Sequence, residues 1–202
     1  MEIEIDKLGK RFQQGWVFQN LSYRFKSDNV YGISGRNGSG KSTFLKIISG
    51  LLSPSTGSLT YLNHSTRIKR EAIYAHVSVA APYTDLIEEY NLPEMIAFHS
   101  GLKPSDRLLS VKDWLEMMDF SGMLTRPIYQ FSSGMKQRVK LGLALHSRAE
   151  IIILDEPTSN LDENSKAWFF DQLNKCKENK IILIASNEAS DFRYCEEILP
   201  MN

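Results

Sequence analysis

Gly35-Arg36-Asn37-Gly38-Ser39-Gly40-Lys41-Ser42-Thr43 is the stretch whose reading decides the fold. It fits G-x-x-x-x-G-K-[S/T], the spacing of a phosphate-binding loop. Upstream, Val30-Tyr31-Gly32-Ile33 is a short apolar run after Asp28-Asn29 and predicts a strand. Downstream, Phe44, Leu45, Ile47, Ile48 and Leu51 recur at helical spacing, with Gly50 as a stop signal. A strand, a glycine loop and a helix in that order aim backbone N–H groups at an anion. Glycines at 35, 38 and 40 let the backbone approach that anion closely. Lys41 is placed to reach the β- and γ-phosphates of a nucleotide and Ser42 to ligate Mg2+, with Asn37, Ser39 and Thr43 in the same cradle.

Working outward, 202 residues suffice for one substantial core. Lys plus Arg and Asp plus Glu are both 24, so no net charge recruits nucleic acid or an acidic membrane face. Cys176 and Cys195 lack C-x-x-C spacing and read as reduced thiols. The N-terminus alternates Ile3 and Ile5 with acids, as a strand does and a signal peptide does not. No apolar run approaches the ~20 residues that span a bilayer, so any membrane role would come through a partner.

Trp16-Val17-Phe18 and Leu21-Ser22-Tyr23-Arg24-Phe25 read as further strands, as does Ser58–Leu62 after the turn Pro54–Gly57. Phe12 and Trp16 suit either the core or stacking on a base. Arg67–Arg70 reads as a solvated hairpin tip, and Ile73–Val79 as a buried strand. His64 and His76 have no partners at metal spacing. From Leu86 to His146 the pattern turns helical, with a capping box at Ser110–Asp113 and Val111, Leu115 and Met118 on one face. Ile151–Leu154 and Ile181–Ala185 are continuous apolar runs, the mark of parallel strands covered on both faces. Asp155 and Glu156 follow the first run, at the carboxyl edge where ligands bind in open α/β sheets. In isolation they could simply cap the turn before Pro157. Beside a phosphate loop, Asp155 is placed to hold Mg2+ with Ser42, and Glu156 to act as general base or to orient the attacking water.

Phe131-Ser132-Ser133-Gly134-Met135-Lys136-Gln137-Arg138 resembles the Leu-Ser-Gly-Gly-Gln signature of the ATP-binding cassette (ABC) family, and Ser159-Asn160-Leu161-Asp162 resembles the loop after its catalytic acid. The resemblance runs end to end. It implies an α/β fold: a P-loop NTPase (RecA-like) parallel-sheet core, an N-terminal antiparallel β subdomain and a helical signature subdomain. Residues 1–202 would form one domain, with 84–146 helical and about 1–83 and 147–202 as core plus β subdomain. Phe12 falls where the family keeps an adenine-stacking aromatic, with Trp16 a second candidate. Ser132, Ser133 and Gly134 would meet the γ-phosphate bound by an opposite subunit, and Asn160 and Asp162 would line the dimer seam. The implied assembly is a head-to-tail dimer, of two copies or with a related subunit, closing on two ATP molecules and driving a separate membrane permease. That places the chain in the cytoplasm, on the membrane's inner face, and its compact length resembles exporter-type subunits.

Three departures bear on activity. Ser133 and Met135 replace signature residues, Tyr83 stands where the family has a glutamine, and Asn187 stands where it has a histidine. A phenol lacks the amide's paired donor and acceptor, and Asn187 can donate a hydrogen bond but never be cationic. The expected activity is therefore slow ATP hydrolysis. A non-hydrolysing ATP switch and a soluble cassette ATPase of the cluster-assembly or repair kind are the alternatives.

Overall fold

The computed structural model describes residues 1–64, 66–105, 109–120 and 122–201. Its strands are β1 (Glu2–Phe12), β2 (Gly15–Lys26), β3 (Asn29–Ser34), β4 (Thr56–Asn63), β5 (Thr66–Ile68), β6 (Val77–Ala80), β7 (Ile151–Asp155), β8 (Ile181–Ser186) and β9 (Glu197–Pro200). Its helices are α1 (Lys41–Ile48), α2 (Leu92–Leu102), α3 (Val111–Met117), α4 (Ser133–Leu145) and α5 (Glu163–Cys176). The strands form two sheets: an antiparallel one in the order β2-β1-β4-β5 and a parallel one in the order β6-β7-β8-β3-β9. This is the expected α/β architecture.

Alternation explains why the apolar runs became central strands. In β7, Ile151 and Ile153 join a core with α1 and the antiparallel sheet, while Ile152 and Leu154 join a second core with α4 and α5. Successive strand side chains point to opposite faces, so a strand covered on both sides must be apolar throughout. All six residues of β8 are buried for the same reason. A third cluster, including Leu92, Ile96, Trp114, Leu115, Phe131 and Leu143, holds the helical segment together.

The helix starts are chemically specified. Asn91 and Glu94 form a capping box at α2, and Ser110 and Asp113 form the expected one at α3, each cap worth about 1 kcal/mol. At α3, Trp114, Leu115 and Met118 are buried, but Val111, on the same face at the first helical position, is exposed.

The segment 70–79 departs from expectation. Arg70–His76 is a 3₁₀ helix, and only Val77–Ala80 is strand. The Arg70 guanidinium donates to Gly50 O at 2.8 Å and to Ser53 Oγ at 3.0 Å, so it is an anchor and not a solvated tip. Ile73 packs against Gly50, where a Cβ would stand 2.6 Å from Ile73 Cγ2. His76 Nδ1 lies 3.0 Å from Oε2 of Glu150, the residue before the adjacent strand β7. Among the described residues, no helix is long and apolar enough to cross a membrane.

Candidate active site

Four chain segments leave the parallel sheet side by side at its carboxyl edge. Ser34 pairs with Ser186, Asp155 with Ala185, and Ala80 with Leu154. The phosphate loop, the Ser186-Asn187 turn, the Asp155-Glu156 pair and the Ala81–Thr84 loop are therefore neighbours by topology. That edge is where open α/β sheets bind ligands.

The loop is shaped for an anion. Gly40 caps α1 in the left-handed conformation, φ +98°, and a Cβ there would lie 2.4 Å from Val17 Cγ1. No side chain caps the helix start, so its first N–H groups and positive dipole end are left for a ligand. The Lys41 ammonium is buried and donates to Gly35 O at 2.8 Å and Arg36 O at 3.4 Å, with Glu156 Oε1 3.9 Å away. A bound phosphate would take up those donors. Asn187 Nδ2 donates to Asn37 Oδ1 at 3.3 Å, which ties the turn after β8 to the loop.

The two acids differ sharply. Asp155 is buried, and its Oδ1 has no hydrogen-bond partner. Burial pushes its carboxyl above the usual range, while the Ser42 hydroxyl and the ammonium groups of Lys41 and Lys46 pull it down. An orphaned buried carboxylate oxygen beside a serine hydroxyl is a hard-oxygen donor set, as Mg2+ requires. Glu156 has φ +51°, in the left-handed region that a non-glycine residue occupies only when its surroundings enforce it. Its N–H donates to Ala185 O at 2.8 Å. Burial raises its carboxyl too, against the Ser186 hydroxyl and the Lys41 charge. Glu156, Asn187, Asn37, Pro82, Thr158 and Asn160 line one cavity of about 490 Å3.

Sequence-expected residues that do not line that cavity include Ser132, Ser133 and Gly134. Ser132 caps α4 by accepting from Met135 N–H at 3.2 Å. A Cβ on Gly134 would stand 2.9 Å from Asn160 O, and Gln137 Nε2 donates to Pro157 O at 2.9 Å. The signature helix is thus braced against the loop that follows Glu156 in its own chain. Asp162 caps α5 through Ser165 N–H at 2.8 Å. Phe12 and Trp16 are both exposed at the β1–β2 hairpin, whose Val17 and Phe18 abut Gly40, and Lys10 Nζ lies 4.9 Å from the centre of the Phe12 ring.

Sequence reasoning missed three contributors. Ser186 donates to Glu156 Oε2 at 3.2 Å. Thr158 Oγ1 donates to Asp191 Oδ1 at 2.6 Å in a buried contact. Lys46 Nζ lies 4.2 Å from the centre of the Tyr83 ring. Burial, with Asp155 nearby, pushes the Tyr83 phenol up to about 12. Only Lys46 carried a signal, lying one helical turn after Ser42. A second cleft, lined by His146, Arg148, Glu150, Lys175, Cys176 and Lys180, contains none of the motif residues.

Comparison with known proteins agrees with this geometry. Residues 18–159 match the family model described as ABC transporter. An uncharacterised ABC transporter ATP-binding protein, YybJ of Bacillus subtilis, is 33% identical over 99% of this chain and 92% of its own length. The arabinose import ATP-binding protein AraG of Mannheimia succiniciproducens is 31% identical over 97% of this chain, which spans only 41% of AraG. A putative ABC transporter ATP-binding protein from Pyrococcus furiosus superposes with a TM-score of 0.83 at 22% identity, covering 100% of this chain and 98% of that one. A dimeric ATP-binding cassette solved in a post-hydrolysis state with ADP and Pi superposes with a TM-score of 0.80 at 21% identity, covering 99% and 94%. The chain belongs to the ABC transporter family, as one of its ATP-binding ATPase subunits.

Proposed function

We propose that this subunit hydrolyses ATP slowly at a seam between two cassettes and thereby drives a separate membrane permease from the cytoplasmic side. The observation that carries the reading is the meeting of Lys41, Asp155, Glu156 and Asn187 at one sheet edge, above a helix start that no side chain caps. Lys41 would exchange the carbonyls of Gly35 and Arg36 for phosphate oxygens. Ser42 and Asp155 would hold Mg2+, which neutralises phosphate charge when bound. Glu156, partly open to the cavity, would accept the proton of the attacking water or orient it. Ser132 and Gly134, at the start of α4, would meet the nucleotide bound by another subunit.

Steady-state phosphate release from the purified chain tests this, with Glu156→Gln as control. The expected result is slow wild-type turnover and a variant that binds ATP, scarcely hydrolyses it and accumulates as a dimer in Mg-ATP. Equal turnover in both would show that Glu156 is not the base. A strictly monomeric variant would remove the seam.

A further inference from the structure

Glu156 keeps a left-handed backbone, φ +51°, which a non-glycine residue holds only where its surroundings over-determine it. Its N–H donates to Ala185 O at 2.8 Å, its Oε2 accepts from Ser186, and its carbonyl accepts from Ser159 N–H at 3.2 Å. A further tie lies two residues on. Thr158 lines the cavity with Glu156, and its hydroxyl donates to Asp191 Oδ1 at 2.6 Å while its carbonyl accepts from Leu161 N–H at 3.0 Å. Asp191 belongs to the 3₁₀ turn Ala189–Phe192 that follows Asn187, and its own N–H donates to Glu188 O at 3.2 Å. Thr158 is 4% exposed and Asp191 1%. Among the described residues Asp191 Oδ2, also buried, has no hydrogen-bond partner. A carboxyl sunk this deep and half satisfied costs stability, so packing gives no reason for it. A tie between two loops does. The loop after β7 and the turn after β8 are joined at Ser186–Glu156 and again at Thr158–Asp191, with Asn187 and Glu188 between the joints.

We propose that Thr158 and Asp191 are positioning residues for Glu156: their bond fixes the loop that leaves Glu156, and so holds its backbone in the left-handed region with its carboxylate aimed into the cavity. This rests on the reading that Glu156 is the base, or the group that orients the attacking water. Without the Thr158 hydroxyl, Ser186 still grips the tip of the carboxylate, but the chain beyond Glu156 is free to relax. A misplacement of about 1 Å at a reacting group costs up to about 10²-fold in rate, so the joint need not touch the nucleotide to set turnover. The loss falls on kcat and spares ATP binding, because Lys41 and the uncapped start of α1 belong to a different segment.

The test is steady-state phosphate release by the full chain over a range of ATP concentrations, with thermal unfolding alongside. The proteins are wild type, Thr158→Ser, Thr158→Val, the double variant Thr158→Val/Asp191→Val, and Glu156→Gln. Thr158→Val keeps the shape without the hydroxyl and should lower kcat about tenfold, the scale of one lost buried hydrogen bond, with KM for ATP unchanged. It should also lower Tm, since Asp191 is left buried without its donor. Thr158→Ser restores a hydroxyl and should recover kcat. The double variant removes the orphaned carboxyl too, so its Tm should return towards wild type while kcat stays low. That split between stability and rate separates a positioning joint from a structural one. Should Thr158→Val not fold, the double variant supplies the same kcat comparison. Wild-type kcat without the hydroxyl, an equal loss in Thr158→Ser, a raised KM in place of a lowered kcat, or recovery of kcat together with Tm in the double variant would each overturn the proposal. Glu156→Gln tests the underlying reading separately. If it turns over like wild type, Glu156 is not the base, whatever Thr158 does. If it is inactive while Thr158→Val is not slowed, the reading stands and the joint does not.

Discussion

Ser186 Oγ donates to Glu156 Oε2 at 3.2 Å and itself accepts from Glu188 N–H at 3.0 Å. Ser186 is fully buried at the end of β8, one residue before Asn187. The serine therefore couples the carboxylate proposed as base to the turn that carries Asn187. Its bond favours the charged carboxylate and opposes the burial that raises Glu156. Ser186→Ala should lower kcat about tenfold, in the range of a lost hydrogen bond to a charged group, and leave ATP affinity unchanged. With that bond gone the Glu156 pKa rises further, so the acid limb of the kcat profile should move to higher pH. Phosphate release measured across pH checks both. A lowered kcat with an unmoved acid limb would mean that Ser186 acts only through packing.

Lys41 makes a different prediction, because its ammonium is already satisfied by the loop carbonyls of Gly35 and Arg36. Those bonds hold the loop in shape before a nucleotide arrives. Lys41→Ala should cost ATP affinity about 10²-fold or more, the scale set by removing a preorganised charge from such a site, and lower stability by about 1–3 kcal/mol, because two loop carbonyls lose their donor. Calorimetry with Mg-ATP alongside thermal unfolding separates the two. Retained micromolar binding would contradict the assignment of the loop.

Much of this site was readable from local sequence, and the reason is geometric. A glycine loop between a strand and a helix is specified by adjacent residues, and four apolar residues before Asp155-Glu156 place the acids at a sheet edge whatever the neighbouring strands are. The segment 70–79 was not readable in that way. Ile73, Ala75, Val77 and Val79 alternate as a strand would, but Arg70 is tethered to Gly50 and Ser53, and that anchor winds the chain into a 3₁₀ turn as far as His76. The contact is tertiary, so no local pattern reports it. The same holds for Thr158 and Asp191, which are 33 residues apart in sequence and share a buried hydrogen bond. Lys46 and Tyr83 likewise meet only because α1 and the loop after β6 lie at one edge. Ser132 and Gly134 were legible as a motif, but their place on a braced helix start, outside the chain's own cavity, required the fold.

Asn187 donates to Asn37 Oδ1 at 3.3 Å, so the turn after β8 touches the phosphate loop without carrying charge. An amide can donate to a γ-phosphate, yet it cannot add the positive charge that a protonated imidazole would. Asn187→His should therefore raise kcat severalfold and add an acid-favoured component with an apparent pKa near the ~6.5 of histidine. Phosphate release from pH 5.5 to 8.5 reads this directly. An unchanged rate at every pH would show that the contact with Asn37, and not the missing charge, is what this position contributes.

His99 offers a stability test away from the active site. It is half-buried near the end of α2, and burial, with the Lys103 charge second, holds its pKa below the usual 6.5. Both states are neutral at His99 well above pH 6.5, so it contributes no pH dependence there. As pH falls through 6.5 the unfolded chain takes up the proton while the folded chain resists, and stability is lost until the lowered folded-state pKa is passed. A helix carboxyl end favours a cation by about 0.3–1 kcal/mol, which opposes this trend, so the sign reports which effect wins. His99→Gln should flatten the fall in Tm between pH 8 and pH 5.5 relative to wild type. If wild type instead gains stability over the variant as pH falls, the helix end and not burial governs this histidine.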